Sequence, residues 1–320
     1  MGRIVVAKLP PDKRADSTTS GGATMGAMAP DPHAATPSPP PSLPLDDIPL
    51  NDGTTLPAIG LGLYKVAPQD VGPTVSSAVG LGYRLLDGAM FYRNEPELGA
   101  AVRAVTQEQG VPREELLVAS KFWGDPVQSY DAALADFETS FTDLGIGPLD
   151  LYFIHWPRGS RGTYVETWRA LVRLREEGRV RSIAVASFSV EELTRLIEET
   201  GVAPAVNQVE SHPWLPQHEL RAFHAAHGIV TQAWSPLGRG RLLEQPPIVE
   251  IAARHGVTPA QVVLRWHLQL GGAAVPKSVH AERLRLNLDL GGFALDEDDM
   301  ARIATLENGT RTGTDPKDRQ

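Results

Sequence analysis

Four residues of the chain could share one piece of acid–base chemistry: Asp87, Tyr92, Lys121 and His155. Lys121 lies 34 residues after Asp87 and His155 lies 34 after Lys121, with Tyr92 between the first two. A phenol titrates near pH ~10, so it is a poor proton donor at neutral pH, and desolvation raises it further. A lysine cation within ~4 Å opposes that rise with up to about 4 kcal/mol at an effective dielectric of about 20, roughly 3 pK units. The expectation is that Lys121 outweighs burial, with Asp87 keeping the amine charged at some loss of its field. Tyr92 then becomes a usable donor, and His155 orients a carbonyl or alcohol oxygen.

Each of these residues arrives where an apolar run stops. GYRLLDGAMFYRNEPELG (82–99) opens as a strand, turns at Asp87, and continues into a helix start. There Asn94 reads as N-cap, Pro96 stands in the first turn and Glu97 occupies N3. Seven further runs read as strands: 56–63, 116–122, 149–156, 180–187, 204–210, 229–235 and 273–278. Helix-period segments alternate with them at 68–80, 95–107, 126–143, 163–177, 190–199, 217–226 and 259–270. IPLNDGTTLPAIGLG before them predicts a hairpin turning at Asn51-Asp52-Gly53. Strands apolar on both faces and alternating with helices predict a (β/α)8 TIM barrel with an N-terminal β-hairpin and an extra C-terminal helix and tail. A doubly wound sheet would want G-x-G-x-x-G after its first strand, and Gly60-Leu61-Gly62-Leu63-Tyr64-Lys65 does not supply it. Barrel chemistry gathers at the C-terminal strand ends. The polar residues there are Asp87, Lys121, His155, Ser187, Gln208, Trp234 and Lys277. A phenol donor with no nucleophile, metal or thiol beside it suggests hydride transfer with a cofactor.

Composition narrows the class. The chain has no cysteine, which removes disulfides, thiolate catalysis and Cys-ligated zinc, and fits a cytoplasmic protein. A formal net charge of −9 argues against nucleic acid as a general partner. No apolar run reaches the ~20 residues of a membrane helix. Residues 1–44, rich in Pro, Ala, Ser and Thr, predict a disordered leader, with Met25 or Met28 as an alternative start. Residues 45–320 predict one barrel domain, here expected to be a monomer.

GYRLLDGAMFYRNEPELG, SKFW, DLYFIHWP, PAVNQVESHP, WSPLGRG and VPKSV, in this order, resemble the aldo-keto reductase family. TPAQVVLRWHLQLGG and RTGTDP are most similar to its bacterial 2,5-diketo-gluconate-reductase-like branch. The resemblance runs from about Pro49 to Pro316. It implies a barrel that binds NADPH and reduces aldehydes or ketones, with Asp87, Tyr92, Lys121 and His155 as the tetrad and Tyr92 as general acid. It further implies that Gln208 and Ser187 hold the carboxamide and Trp234 stacks on the nicotinamide. Gly62 and Leu63 would border the cofactor, and Ser235, Leu237 and Gly238 would line its pyrophosphate. Lys277, Ser278, Val279 and Arg283 would surround the 2′-phosphate, and Asn287 would meet the adenine. Tyr64, Trp123 and Trp156 would wall the substrate mouth. No metal is implied.

Three departures stand out against that family pattern. Asp87-Gly88-Ala89 replaces Asp-Thr-Ala, Ala186-Ser187 replaces a Ser-Asn pair, and Leu286 stands where an acid is common. They predict a weakened but functional cofactor site. They also keep open a second reading, an NADPH-binding regulatory or sensor protein with weak or no turnover. A metal-dependent hydrolase using His218, His224 and His227 is a third, although HELRA lacks the second histidine of a zincin motif.

Overall fold

The computed structural model describes residues 45–319; the expected leader lies outside the described residues. A short antiparallel hairpin, β1 (Ile48–Pro49) and β2 (Thr55–Leu56), comes first. Its turn is built as the sequence suggests: Gly53 takes φ +86°, and Asp52 Oδ1 accepts from the Thr54 amide and hydroxyl. There follow β3 (Leu61–Gly62), α1 (Pro68–Gly80), β4 (Leu85–Asp87), α2 (Glu95–Glu108), β5 (Leu117–Phe122), α3 (Tyr130–Leu144), β6 (Leu149–Ile154) and α4 (Tyr164–Glu176). Next come β7 (Val180–Ala186), α5 (Val190–Thr200), β8 (Val206–Glu210), α6 (His218–Ala226) and β9 (Val230–Trp234). The chain then runs through α7 (Pro246–His255), α8 (Pro259–Gln269), β10 (Ala273–Ala274), α9 (Ala281–Leu288) and α10 (Glu297–Ala304).

Strands β3 to β10 pair in parallel, each with its sequence neighbour. The ring closes where Gly60 N donates to Ala274 O (2.9 Å), Gly62 N to Pro276 O (3.1 Å) and Ala274 N to Ala58 O (2.9 Å). This is the predicted eight-stranded barrel. The run 56–63 divides, however: Thr55–Leu56 belongs to the hairpin and Leu61–Gly62 to the barrel. The hairpin covers the bottom of the barrel, with Leu50 and Leu56 packed on the interior cluster and Asn51 Nδ2 donating to Pro204 O (2.9 Å).

Helix starts follow their capping chemistry. Thr258 and Gln261 form a reciprocal capping box at the start of α8, with Pro259 behind it; Ser189 with Glu192 and Asp296 with Asp299 do the same for α5 and α10. Asn94 departs from expectation. Its side chain makes no cap bond at α2. Instead Nδ2 donates to the carbonyls of Val66 (3.1 Å) and Leu63 (3.3 Å), tying the start of α2 to the loop after β3. Helices α7 and α9 were not expected from sequence, and α3 begins at Tyr130 rather than near residue 126.

Strand periodicity places the polar residues. Leu85, Ala119, Leu151, Phe153, Ala184, Val206, Val230, Ala273 and Val275 form the inner cluster, while Leu86, Val118, Tyr152, Ile154, Ile183 and Val185 pack outward beneath the helices. Successive residues alternate faces, so the next inward positions above that filling are Asp87, Lys121, His155, Gln208 and Lys277. Asp87 pairs with Ala119 and Lys121 with Phe153, so each neighbour's functional residue stands two positions higher along its strand.

Candidate active site

Lys121 is completely buried, and its ammonium makes three hydrogen bonds. Nζ donates to Asp87 Oδ1 (2.7 Å), to the Gly88 carbonyl (2.8 Å) and to Tyr92 Oη (3.4 Å). The phenol oxygen is therefore an acceptor from the lysine, and its own proton is free to go to a third group. Tyr92 closes a single 3-10 turn, Met90–Tyr92, ended by Arg93 in the left-handed conformation. The His155 ring lies edge-on to the Tyr92 ring, with centroids 5.9 Å apart.

The electrostatics correct the sequence expectation. The Tyr92 hydroxyl is pushed well above its ordinary range, by burial first, then by the Asp87 carboxylate and Tyr64. Burial wins because the lysine's charge is largely neutralised by Asp87 at 2.7 Å. Burial also lowers the Lys121 amine, opposed by Asp87 and then by Glu95. His155 is held well below the usual imidazole range by burial, then by Lys121, Arg319 and Arg158. It is a neutral ring, which can donate from one nitrogen to a carbonyl oxygen.

Asp87, Tyr92 and His155 open onto a cavity of about 980 Å³ that runs to Lys277, Arg283 and Asn287. The volume and shape suit a dinucleotide with a small substrate. At one end stand the amine of Lys277, the hydroxyl of Ser278 and the guanidinium of Arg283, a donor set for a phosphate; Val279 completes that wall. In the middle lie Ser187, Gln208, Trp234, Ser235, Leu237 and Gly62. Gln208 Nε2 donates both to Asp87 Oδ1 (2.9 Å) and to Gln232 Oε1 (2.7 Å), which leaves its Oε1 as the acceptor for an amide. Tyr64, Trp123 and Trp156 wall the tetrad end, with Tyr64 tilted on Tyr92 at 5.2 Å and Trp156 stacked on His155 at 6.3 Å. Two expected positions do not line the cavity. The Leu63 side chain is in the core, and Gly238 is buried against Leu242 and Trp214. The histidines weighed as a metal group have other partners: His224 bonds Asn207 and Thr231, and His218 bonds Glu307.

The profile of the aldo/keto reductase family matches residues 58–308. The chain belongs to the aldo/keto reductase family. An aldo-keto reductase of Mycolicibacterium smegmatis is 50% identical over 270 residues, 84% of this chain and 96% of the relative. A 2,5-diketo-D-gluconic acid reductase B of a Corynebacterium species is 47% identical over the same shares of each chain. Among solved structures, that of a Gox0644 mutant in complex with NADPH is 44% identical, with a TM-score of 0.80, covering 86% of this chain and 98% of that one. Within this aldo/keto reductase, the cavity wall also includes Phe91, Arg239, Gly313 and Arg319, which sequence reasoning did not single out. Phe91 stacks on Trp123 at 3.9 Å and stands beside Tyr92 in the quoted stretch, so its proximity was available. Gly313 falls within the quoted RTGTDP, whereas Arg319 carried no such signal, because it lies far along the chain from the tetrad and outside every quoted motif.

Proposed function

We propose that this aldo/keto reductase reduces aldehyde or ketone carbonyls to alcohols with NADPH, Tyr92 being the proton donor. When bound, NADPH supplies the hydride. Lys277, Ser278 and Arg283 would hold the 2′-phosphate, Asn287 would meet the adenine, and Trp234, Gln208 and Ser187 would receive the nicotinamide. His155, neutral, donates to the carbonyl oxygen and fixes its direction. As negative charge grows on that oxygen, the Tyr92 proton transfers to it, and the Lys121 ammonium stabilises the tyrosinate left behind. Lysine therefore acts on the product of proton transfer rather than by acidifying the resting phenol. Asp87 orients the amine and keeps it charged.

The observation that carries this reading is the ammonium of Lys121 donating to Tyr92 Oη at 3.4 Å, at the wall of a cavity that ends in Lys277 and Arg283. One chain supplies every residue of the site, which supports a monomer built on a single domain spanning 45–320. The absence of cysteine supports a cytoplasmic setting, and among the described residues no helix is long and apolar enough to cross a membrane. The net charge of −9 supports a small-molecule partner rather than nucleic acid.

Stopped-flow oxidation of NADPH by a reactive aldehyde tests the reading. Tyr92→Phe should lower the single-turnover rate by about 10²- to 10⁴-fold while NADPH still quenches tryptophan fluorescence. A Tyr92→Phe rate equal to wild type would remove the phenol from the mechanism. A cofactor sensor, the alternative, would bind NADPH and show no single turnover in wild type.

A further inference from the structure

Glu95 opens α2 three residues after Tyr92, and it is buried although no lysine or arginine pairs with it within 4.0 Å among the described residues. Hydroxyls hold its carboxylate instead. Oε1 accepts from Ser120 Oγ and Oε2 from Ser140 Oγ (2.9 Å), so both oxygens are satisfied. Ser120 Oγ in turn accepts from the backbone amide of Lys121 (2.6 Å). Successive strand residues face opposite ways, so Lys121 points into the barrel while Ser120 points out beneath α2 and α3. The ammonium therefore stands between two carboxylates, Asp87 at 2.7 Å on the cavity side and Glu95 behind the strand.

These two acids act differently on the phenol. Both support the charge of Lys121 against burial. After burial, however, what raises the Tyr92 hydroxyl is Asp87 and then Tyr64; Glu95 has no part in it. A carboxylate beside the phenol opposes the tyrosinate that proton transfer leaves, whereas one behind β5 supports the lysine without that penalty. The surroundings of Glu95 leave its charge little else to act on. It faces Asp143 and Ser140 from α3, Lys121 and Ser120 from β5 and the Tyr152 phenol from β6, and Lys121 is the one cation of that set. Lys121 itself faces Asp87 from β4, Tyr92 from the tetrad loop and His155 from the end of β6. Burial raises the Glu95 carboxyl, against the two serine hydroxyls; Asp143 adds to the rise and Lys121 opposes it.

We propose that Glu95 is a positioning residue of the reductase: bonded through Ser120 to the strand that carries Lys121, it keeps the ammonium charged and aimed at Tyr92 Oη without setting a second negative charge beside the phenol. The proposal rests on the reductase reading above. It adds to that reading a residue outside the cavity that holds the tetrad.

The test follows the single-turnover rate of NADPH oxidation by a reactive aldehyde from about pH 6 to about pH 10 in wild type, Glu95→Gln and Glu95→Asp. Glu95→Gln keeps the shape and a bonding partner for each serine but drops the charge, so Lys121 loses its proton earlier. The alkaline fall of the rate should move down by about 0.5–1 pH unit, with the NADPH fluorescence titration and KM unchanged. Glu95→Asp, shorter but charged, should lower the urea midpoint and keep the wild-type alkaline limb. A merely structural Glu95 would lower the midpoint in both variants and move the limb in neither. Where Glu95→Gln does not fold, the triple variant Glu95→Leu, Ser120→Ala, Ser140→Ala removes the two hydroxyls together with the carboxylate they bond, and its limb should move in the same direction. Superimposable limbs in wild type and the uncharged variant, or a limb that Glu95→Asp moves equally, overturn the proposal while leaving the reductase reading intact. No oxidation of NADPH by wild type at any pH overturns both.

Discussion

Tyr92 and Ser187 are the two residues at which local chemistry and family pattern pull apart. At Tyr92, proximity to lysine suggested a lowered phenol, but burial and the Asp87 carboxylate raise it. What assists proton transfer is an ammonium already aimed at Oη, in place before charge develops there. Ser187, at the end of β7, has φ +64°, the left-handed region that asparagine tolerates far better than serine. Asparagine is also the residue the family resemblance places there. Ser187→Asn should therefore act twice: it relieves backbone strain and supplies an amide beside Gln208. We expect NADPH binding to tighten about 3- to 10-fold and the urea midpoint to rise, by roughly 0.5–1 kcal/mol of stability. Unchanged values in both the fluorescence titration and the denaturation curve would contradict the strain argument. Gly88 is a different kind of departure. A Cβ at that position would meet Leu98 Cδ2 at 2.9 Å and the Ala119 carbonyl at 3.0 Å, so this barrel has closed around the glycine.

At the scale of elements, the strand-end ladder was legible because a period of two is short and robust: one apolar run fixes which residue faces inward and where the filling stops. The tetrad followed from that. Helices α7 and α9 escaped because their starts resemble loops. Gln245-Pro246-Pro247 looks like a break, yet both prolines occupy the first turn, where an amide is not needed, and Gly256 closes α7 in the left-handed region. Arg319 escaped for a topological reason, since its partners Trp123 and Trp156 lie far back in the chain and nothing local announces them. The packing of α2 on α3 was equally silent, although it positions the tetrad loop. A Cβ on Gly99 would come 1.8 Å from the Leu144 carbonyl oxygen, so the two helices touch backbone to backbone. Glu95, one turn earlier on α2, accepts from Ser120 and from Ser140 (2.9 Å), joining α2 to β5 and α3 beneath Lys121. Gly99→Ala gains about 0.5–1 kcal/mol of helix propensity but must separate the helices, which costs typically about 1–3 kcal/mol or more. The expected result is a net loss of about 2 kcal/mol in urea denaturation and a lower kcat, because Glu95 moves with α2. A stability equal to wild type would mean that the helices part at no cost.

For the whole molecule, the buried histidines set how the barrel responds to acid. His224 on α6 is pushed down to about 3 by burial, then by Arg221 and His227; His267 on α8 is pushed down to about 3, again by burial first. The orientation of His224 is fixed by its neighbours. Asn207 Nδ2 donates to the Phe188 carbonyl (2.9 Å) and to His224 Nε2 (3.0 Å), so Nε2 is an acceptor and Nδ1–H serves Thr231 Oγ1 (2.8 Å). A proton arriving on Nε2 would therefore face an amide donor and break the bond that joins α6 to β8. Because both folded values lie below the unfolded 6.5, the unfolded chain takes up protons first as pH falls, and stability is lost through that window. Between about pH 7 and about pH 5 each histidine contributes a loss of about 2 kcal/mol, roughly 4 kcal/mol for the pair. Glu95, whose carboxyl is raised by burial, works in the opposite direction and offsets part of this. Burial holds His155 below the imidazole range as well and acts in the same direction. The urea midpoint should thus fall markedly from about pH 7 to about pH 5, and His224→Gln, which keeps an amide-sized group without the titration, should shrink the difference by about 2 kcal/mol. If the midpoint at the two pH values were the same in wild type, the buried rings would not be neutral, and the locked hydrogen-bond direction at Nε2 would be the wrong account of this seam of the barrel.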